Sequence, residues 1–119
     1  MRVQPLLVSD GRVAIPRCGV ARDPLSRFLG LMFRGGLPAE EGLLFPKCNS
    51  IHTCFMRFPI DVVFLSPEGE VIDVVPKLRP WRLLLPRKRA RHVLELSPGR
   101  ASELGIAIGA RLHCEGVWP

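Results

Sequence analysis

The run Ile60-Asp61-Val62-Val63-Phe64-Leu65-Ser66-Pro67-Glu68-Gly69-Glu70-Val71-Ile72-Asp73-Val74-Val75 reads as a β-hairpin. Two β-branched stretches flank Ser66-Pro67-Glu68-Gly69, where proline presets φ at the second turn position and glycine can adopt the left-handed conformation. Val62, Val63, Phe64 and Leu65 are apolar at consecutive positions, which predicts a central strand covered on both faces. Outward from it, Ser9-Asp10-Gly11 joins apolar stretches at 3–8 and 12–15 as a second hairpin. Further strands are expected at 42–45, 91–96 and 111–117. Asp23-Pro24 opens a short helix in which Leu25, Phe28, Leu29 and Met32 recur at helical spacing before Gly35-Gly36. Ser97-Pro98 opens a second, which Gly105 stops. The expectation is a mainly β fold, a compact antiparallel β-sandwich or jelly-roll-like domain with two short helices. Its core is expected from 62–64, 71–75 and 93–96.

The chain has 119 residues, room for a single domain over 1–119. Hydrophobic residues make up 47% and charged residues 24%, a globular composition rather than a disordered one. No apolar run approaches the roughly 18 residues of a membrane span. Met1-Arg2-Val3-Gln4-Pro5 has no apolar leader core, so a cytoplasmic location is expected. Four irregularly spaced cysteines do not make a disulfide scaffold. The net charge of +6 is localised. Lys77, Arg79, Arg82, Arg87, Lys88, Arg89 and Arg91 all fall between Asp73 and Glu95 with no acid among them. The other ten basic residues face 11 acids, so this one segment carries the whole positive excess.

Several ordered motifs carry a family resemblance. Arg27-Phe28-Leu29-Gly30-Leu31-Met32-Phe33-Arg34 is an R-x-x-G-L-M-x-R pattern, followed by Glu41-Gly42-Leu43-Leu44-Phe45. Then come Ile51-His52-Thr53-Cys54-Phe55-Met56-Arg57-Phe58-Pro59-Ile60-Asp61-Val62-Val63-Phe64 and Val93-Leu94-Glu95-Leu96-Ser97-Pro98-Gly99. Over residues 20–113 this set resembles the small bacterial and archaeal domain-of-unknown-function family numbered 192. The resemblance implies a compact antiparallel β-sandwich and no established activity. Many members carry Trp-Met-Lys-Asn-Thr where this chain has Phe55-Met56-Arg57-Phe58-Pro59, and an aspartate where Ala110 follows Gly109.

Asp61 interrupts an apolar passage, and a carboxylate entering a central strand must be paired or hydrogen-bonded. Arg34, Arg57 and His52 are its candidate partners, and backbone N–H groups are the structural alternative. Arg34, His52, Met56, Arg57 and Asp61 together form a mixed charged and apolar set suited to a small anionic or peptide-like ligand. Arg27 and Arg34 stand two helical turns apart, where paired guanidinium groups would suit a carboxylate or phosphate. Cys48, His52 and Cys54 raise the question of zinc, but Cys18, His92, His113 and Cys114 supply no second pair of ordinary spacing, so no metal is expected. Glu95, opposite Leu94 and Leu96 by alternation, reads as a solvent-facing strand residue.

The basic segment 77–91 contains Trp81, Pro80, Pro86 and Leu83-Leu84-Leu85. It reads as a loop laid over the sheet, its three leucines packed and its cations outward. No nucleophile elbow, phosphate loop or paired metal carboxylates occur, so no residue is assigned as catalytic and no cofactor is expected. The reading is a binding or structural module. A small hydrolase using His52 and Asp61 is the competing enzyme reading. Weak binding of nucleic acid or an acidic partner through 77–91 is a third, with tight nucleic-acid binding not expected.

Overall fold

The structure is a computed structural model that describes residues 2–23, 35–53 and 56–118. The described chain runs β1 (Arg2–Val8), β2 (Val13–Val20), β3 (Glu41–Phe45), β4 (Ile51–His52), β5 (Ile60–Leu65), β6 (Val71–Leu78), β7 (Leu83–Leu84), β8 (His92–Leu96), α1 (Arg100–Glu103) and β9 (Leu112–His113). The mainly β expectation holds. Of the two expected helices, α1 is present as a single turn, and the one beginning at Pro24 lies outside the described residues.

Seven strands form one sheet in the order β6-β5-β8-β3-β2-β1-β9, and β4 pairs with β7 in a separate ribbon. Among the described residues every strand pairing is antiparallel except β2 with β3, where Cys18 stands beside Gly42 and Val20 beside Leu44. A parallel pair needs a long crossover, and residues 21–40 provide it. The ends of the sheet order come together. Leu112 N–H donates to the Gly69 carbonyl, Val71 N–H to Ala110, and Gly109 N–H to Val71, at 2.8–2.9 Å. One curled sheet therefore supplies the opposed walls that a sandwich draws from two.

The hairpin 60–75 decides this arrangement. Val63 and Leu65 of β5 point into the curl with Leu6, Ile15, Leu44, Leu94, Leu96 and Leu112. Ile60, Val62 and Phe64 point to the opposite face with Leu43, Phe45, Met56 and Val93. All six β5 residues are buried, as the consecutive apolar run at 62–65 leads one to expect of a strand covered on both faces. Ile51 of β4 and Leu84 of β7 pack against that second face, so the two-stranded ribbon acts as its lid.

The hairpin turn is locked from outside by the C-terminal segment. Gly69 sits at φ +88°, and Trp118 donates from Nε1 to the Leu112 carbonyl at 3.0 Å directly above it. A Cβ at position 69 would fall on the Trp118 indole and within 2.5 Å of the Leu112 carbonyl oxygen. Gly69→Ala is therefore expected to cost about 3 kcal/mol through strained φ and overpacking together. Urea unfolding of the variant measures this loss, and a change below about 0.5 kcal/mol would show that the C-terminal lock is not rigid.

Candidate functional site

Asp61 is 1% exposed and points to the inner face, away from Met56. Its Oδ1 accepts from Lys77 N–H at 2.9 Å and Gly99 N–H at 3.1 Å, and its Oδ2 from Ala101 N–H at 2.9 Å. One carboxylate thus ties edge strand β6 to the turn that leads into α1. Lys77 holds φ +50°, an uncommon conformation for a residue with a side chain, and the bond from its N–H helps to fix it there. Between this clasp and the Val71–Gly109 bonds the two chain segments separate. The gap is an open cleft of about 970 Å³, walled by Val74, Pro76 and Lys77 on one side and by Ala101, Ile106 and Ile108 on the other. Its walls are mostly apolar, Ile108 is 70% exposed, and the Lys77 side chain passes over Gly99.

The basic segment lies on the other face as a strap. Thr53, fully buried, holds its tip: Thr53 N–H donates to the Arg82 carbonyl, Trp81 N–H to the Thr53 carbonyl, and Arg82 N–H to Thr53 Oγ1. Thr53 Oγ1 in turn donates to the Arg79 carbonyl at 2.7 Å. Arg87 is folded back onto the sheet. Its Nε donates to Asp73 Oδ2 at 2.9 Å, and its guanidinium stands 4.9 Å from the centroid of the Phe64 ring. The leucine expectation needs correction here. Leu84 packs inward, whereas Leu83 and Leu85 are 68% and 66% exposed, because only one side of a two-stranded ribbon can face the sheet.

Among the described residues, the other candidates Met56 and Arg57 do not line this cleft. Met56 is buried in the second core face and Arg57 is exposed. His52 is placed by its backbone in β4, opposite Leu83, while Arg34, Arg27 and Cys54 lie outside the described residues. Among the described residues no group of three His, Cys, Asp or Glu side chains converges as a metal site. Cys48 Sγ meets the Ser50 carbonyl at 3.0 Å. Burial, with the neighbouring Cys114 thiol second, pushes the Cys18 pKa up to about 12. Burial likewise pushes Cys114 up to about 11. Both act as small inner-core hydrophobes at neutral pH.

Glu95 is the residue the alternation pattern misplaced. It does face away from Leu94 and Leu96, but that face is covered too. In the sheet it lies between Leu43 of β3 and Val62 of β5, 5% exposed. Burial alone pushes its pKa up to about 8 from an ordinary value of 4.5. Only the position of β8 between two fully covered strands could have revealed this, and four letters of alternation do not contain it.

Two expectations follow from these carboxyl groups. In Asp61→Asn one amide N–H must oppose a backbone N–H that now donates, so stability should fall by about 2–4 kcal/mol in urea melts. A loss below about 0.5 kcal/mol would remove the clasp from the account. Glu95 keeps its proton in the fold up to a pH of about 8, whereas the unfolded chain releases it near 4.5. The native state thus binds the extra proton between these values, and stability falls as pH rises through that window. Glu95→Gln should match the parent near pH 4 and exceed it by a few kcal/mol, on the order of magnitude, at pH 8. Parallel thermal melts across the range read the difference, and parallel curves for the two proteins would contradict it.

Comparison with known proteins agrees with this architecture. Residues 6–114 match the model of DUF192, described as an uncharacterized ACR family. A UPF0127 protein of Pyrococcus furiosus is 38% identical over 97 residues, covering 75% of this chain and 78% of that protein. One from Thermococcus sibiricus is 33% identical over 111 residues, covering 90% of this chain and 71% of its own length. The crystal structure of a Novosphingobium aromaticivorans protein of unknown function superposes with a TM-score of 0.81 at 28% identity, covering 94% of this chain and 85% of that one. With residues 6–114 matched and relatives of this identity, the chain belongs to the DUF192 family, the same family as the UPF0127 proteins.

Proposed function

We propose that this domain is a binding module that takes a short peptide-like ligand bearing a carboxylate in the cleft between β6 and the 99–108 segment. The observation that carries this reading is the cleft itself, an open, mostly apolar groove with a lysine at the end where Asp61 joins its walls. Aliphatic walls with one or two oriented polar groups are the usual chemistry of a ligand site. Val74, Ile106 and Ile108 would receive an aliphatic side chain, and the Lys77 ammonium would pair with the terminal carboxylate. Asp61 acts here as a positioning residue: its three acceptor bonds are all to backbone N–H groups, and they hold the walls at their spacing. Of the ligand set expected from sequence, Asp61 lines this cleft, and the anionic or peptide-like chemistry is retained with Lys77 as the cation.

The test is amide-detected NMR titration with leucine-rich tetrapeptides, one series with a free C-terminal carboxylate and one amidated. The free acids should perturb the amides of Val74, Lys77, Ile106 and Ile108, and bind about tenfold more tightly than the amides for one lost ion pair. Lys77→Ala should erase that preference, while Ile108→Arg should weaken both series. Perturbations that fall elsewhere, or equal affinity for acids and amides, would defeat the reading.

A further inference from the structure

The strap carries an arrangement that the cleft does not use. Trp81 is 60% exposed, in a left-handed conformation at φ +62°, within the turn that Thr53 pins through four hydrogen bonds. Leu83 and Leu85 project on the side opposite Leu84. Around them Arg79, Arg82, Lys88, Arg89 and Arg91 are exposed. Three large apolar side chains thus stand in solvent within five residues, on a preorganised segment in a stretch that lacks any acid from 74 to 94. Exposed tryptophan and leucine interleaved with cations match the two requirements of a lipid–water interface, apolar groups for the acyl boundary and positive charge for anionic headgroups.

We propose that this strap docks the domain on an anionic bilayer surface, with Trp81, Leu83 and Leu85 entering the headgroup region and the flanking arginine and lysine side chains pairing with lipid phosphates. Charge complementarity selects an anionic surface. The leucines then separate lipid from single-stranded nucleic acid: an indole can stack on a base, but two exposed aliphatic side chains have no stacking or phosphate-binding role. Neither contribution is strong alone, since one short apolar insertion or one basic patch binds membranes weakly and reversibly, whereas the two together retain a protein. Arg87 stays out of the lipid contact because Asp73 and Phe64 already hold it.

Flotation of the full chain with vesicles of phosphatidylcholine alone, and of phosphatidylcholine with phosphatidylglycerol, tests this directly. Binding to the anionic vesicles should be about tenfold or more above the neutral ones and should fall as salt rises. The tryptophan emission should shift to the blue on binding; Trp118 is already buried, so the shift reports Trp81 and should vanish in Trp81→Phe. The double variant Leu83→Ser, Leu85→Ser keeps every charge and changes only exposed side chains, and should lose most of the binding with an unchanged melting temperature. The triple variant Arg82→Gln, Lys88→Gln, Arg89→Gln should abolish the preference for anionic vesicles. No flotation with anionic vesicles would overturn the proposal, as would leucine variants that bind like the parent. Tighter retention by a single-stranded oligonucleotide that survives the leucine substitutions would equally overturn it and reassign the strap to nucleic acid.

Discussion

Three backbone N–H groups from two separate segments converge on one side chain, and the shape of the molecule depends on that convergence. Strand β6 and the turn before α1 are not paired with each other by any sheet bond; the carboxylate of Asp61, inserted from β5, holds both. Three of its acceptor directions have a fixed backbone donor, two on Oδ1 and one on Oδ2. At the other end the Val71 bonds to Gly109 and Ala110 bring the edges of the curl together. The cleft is what remains between two fixed points. At this end its width is set by the reach of one aspartate.

The outer face is built on the same logic with a different residue. Thr53 is buried and small, yet it carries a hydroxyl and two backbone groups that all point to the strap. Arg87 adds a second attachment through Asp73 and Phe64. Both attachments hold the strap from residues outside it, Thr53 on one side and Asp73 with Phe64 on the other, and leave its own leucines at 83 and 85 exposed. A segment that only needed to cover the second core face would turn those leucines inward.

Local signals carried much of the architecture. The hairpin at 60–75 was legible because turn chemistry and strand pattern agree there, and the consecutive apolar run at 62–65 correctly implied cover on both faces. Asp61 was legible as a carboxylate that must be satisfied, and the backbone alternative is the one realised, but no pattern within five residues names donors 16, 38 and 40 positions away. The parallel β2–β3 pair was hidden for a related reason: pairing direction is decided by how the 21–40 crossover returns, which strand composition does not encode. Glu95 and the two exposed leucines fail in opposite senses from a single cause. Alternation tells which residues share a face, and only the tertiary arrangement tells which faces are covered.

The unfavourable features of the chain have a common location. Among the described residues, four without a glycine's freedom hold positive φ, and three of them, Lys77, Trp81 and Arg89, lie in the stretch from the cleft through the strap. Such conformations cost on the order of 1 kcal/mol or more each and persist only where neighbouring structure dictates them. Of these only Lys77 lies in a strand of the seven-stranded sheet, near the end of edge strand β6, whereas Gly69 in the hairpin turn takes its left-handed conformation without that cost. Lys77 is held by Asp61, and Trp81 by Thr53, both through their backbone N–H groups. The Asp61 carboxylate holds the strained Lys77 and the buried Thr53 backbone carbonyl holds the strained Trp81, and each residue so positioned presents its side chain to the cleft or to solvent. Folding stability alone gives no reason to keep two strained residues at the ends of two buried polar anchors. The proposed presentation of a lysine in a groove and of an indole on a charged surface would.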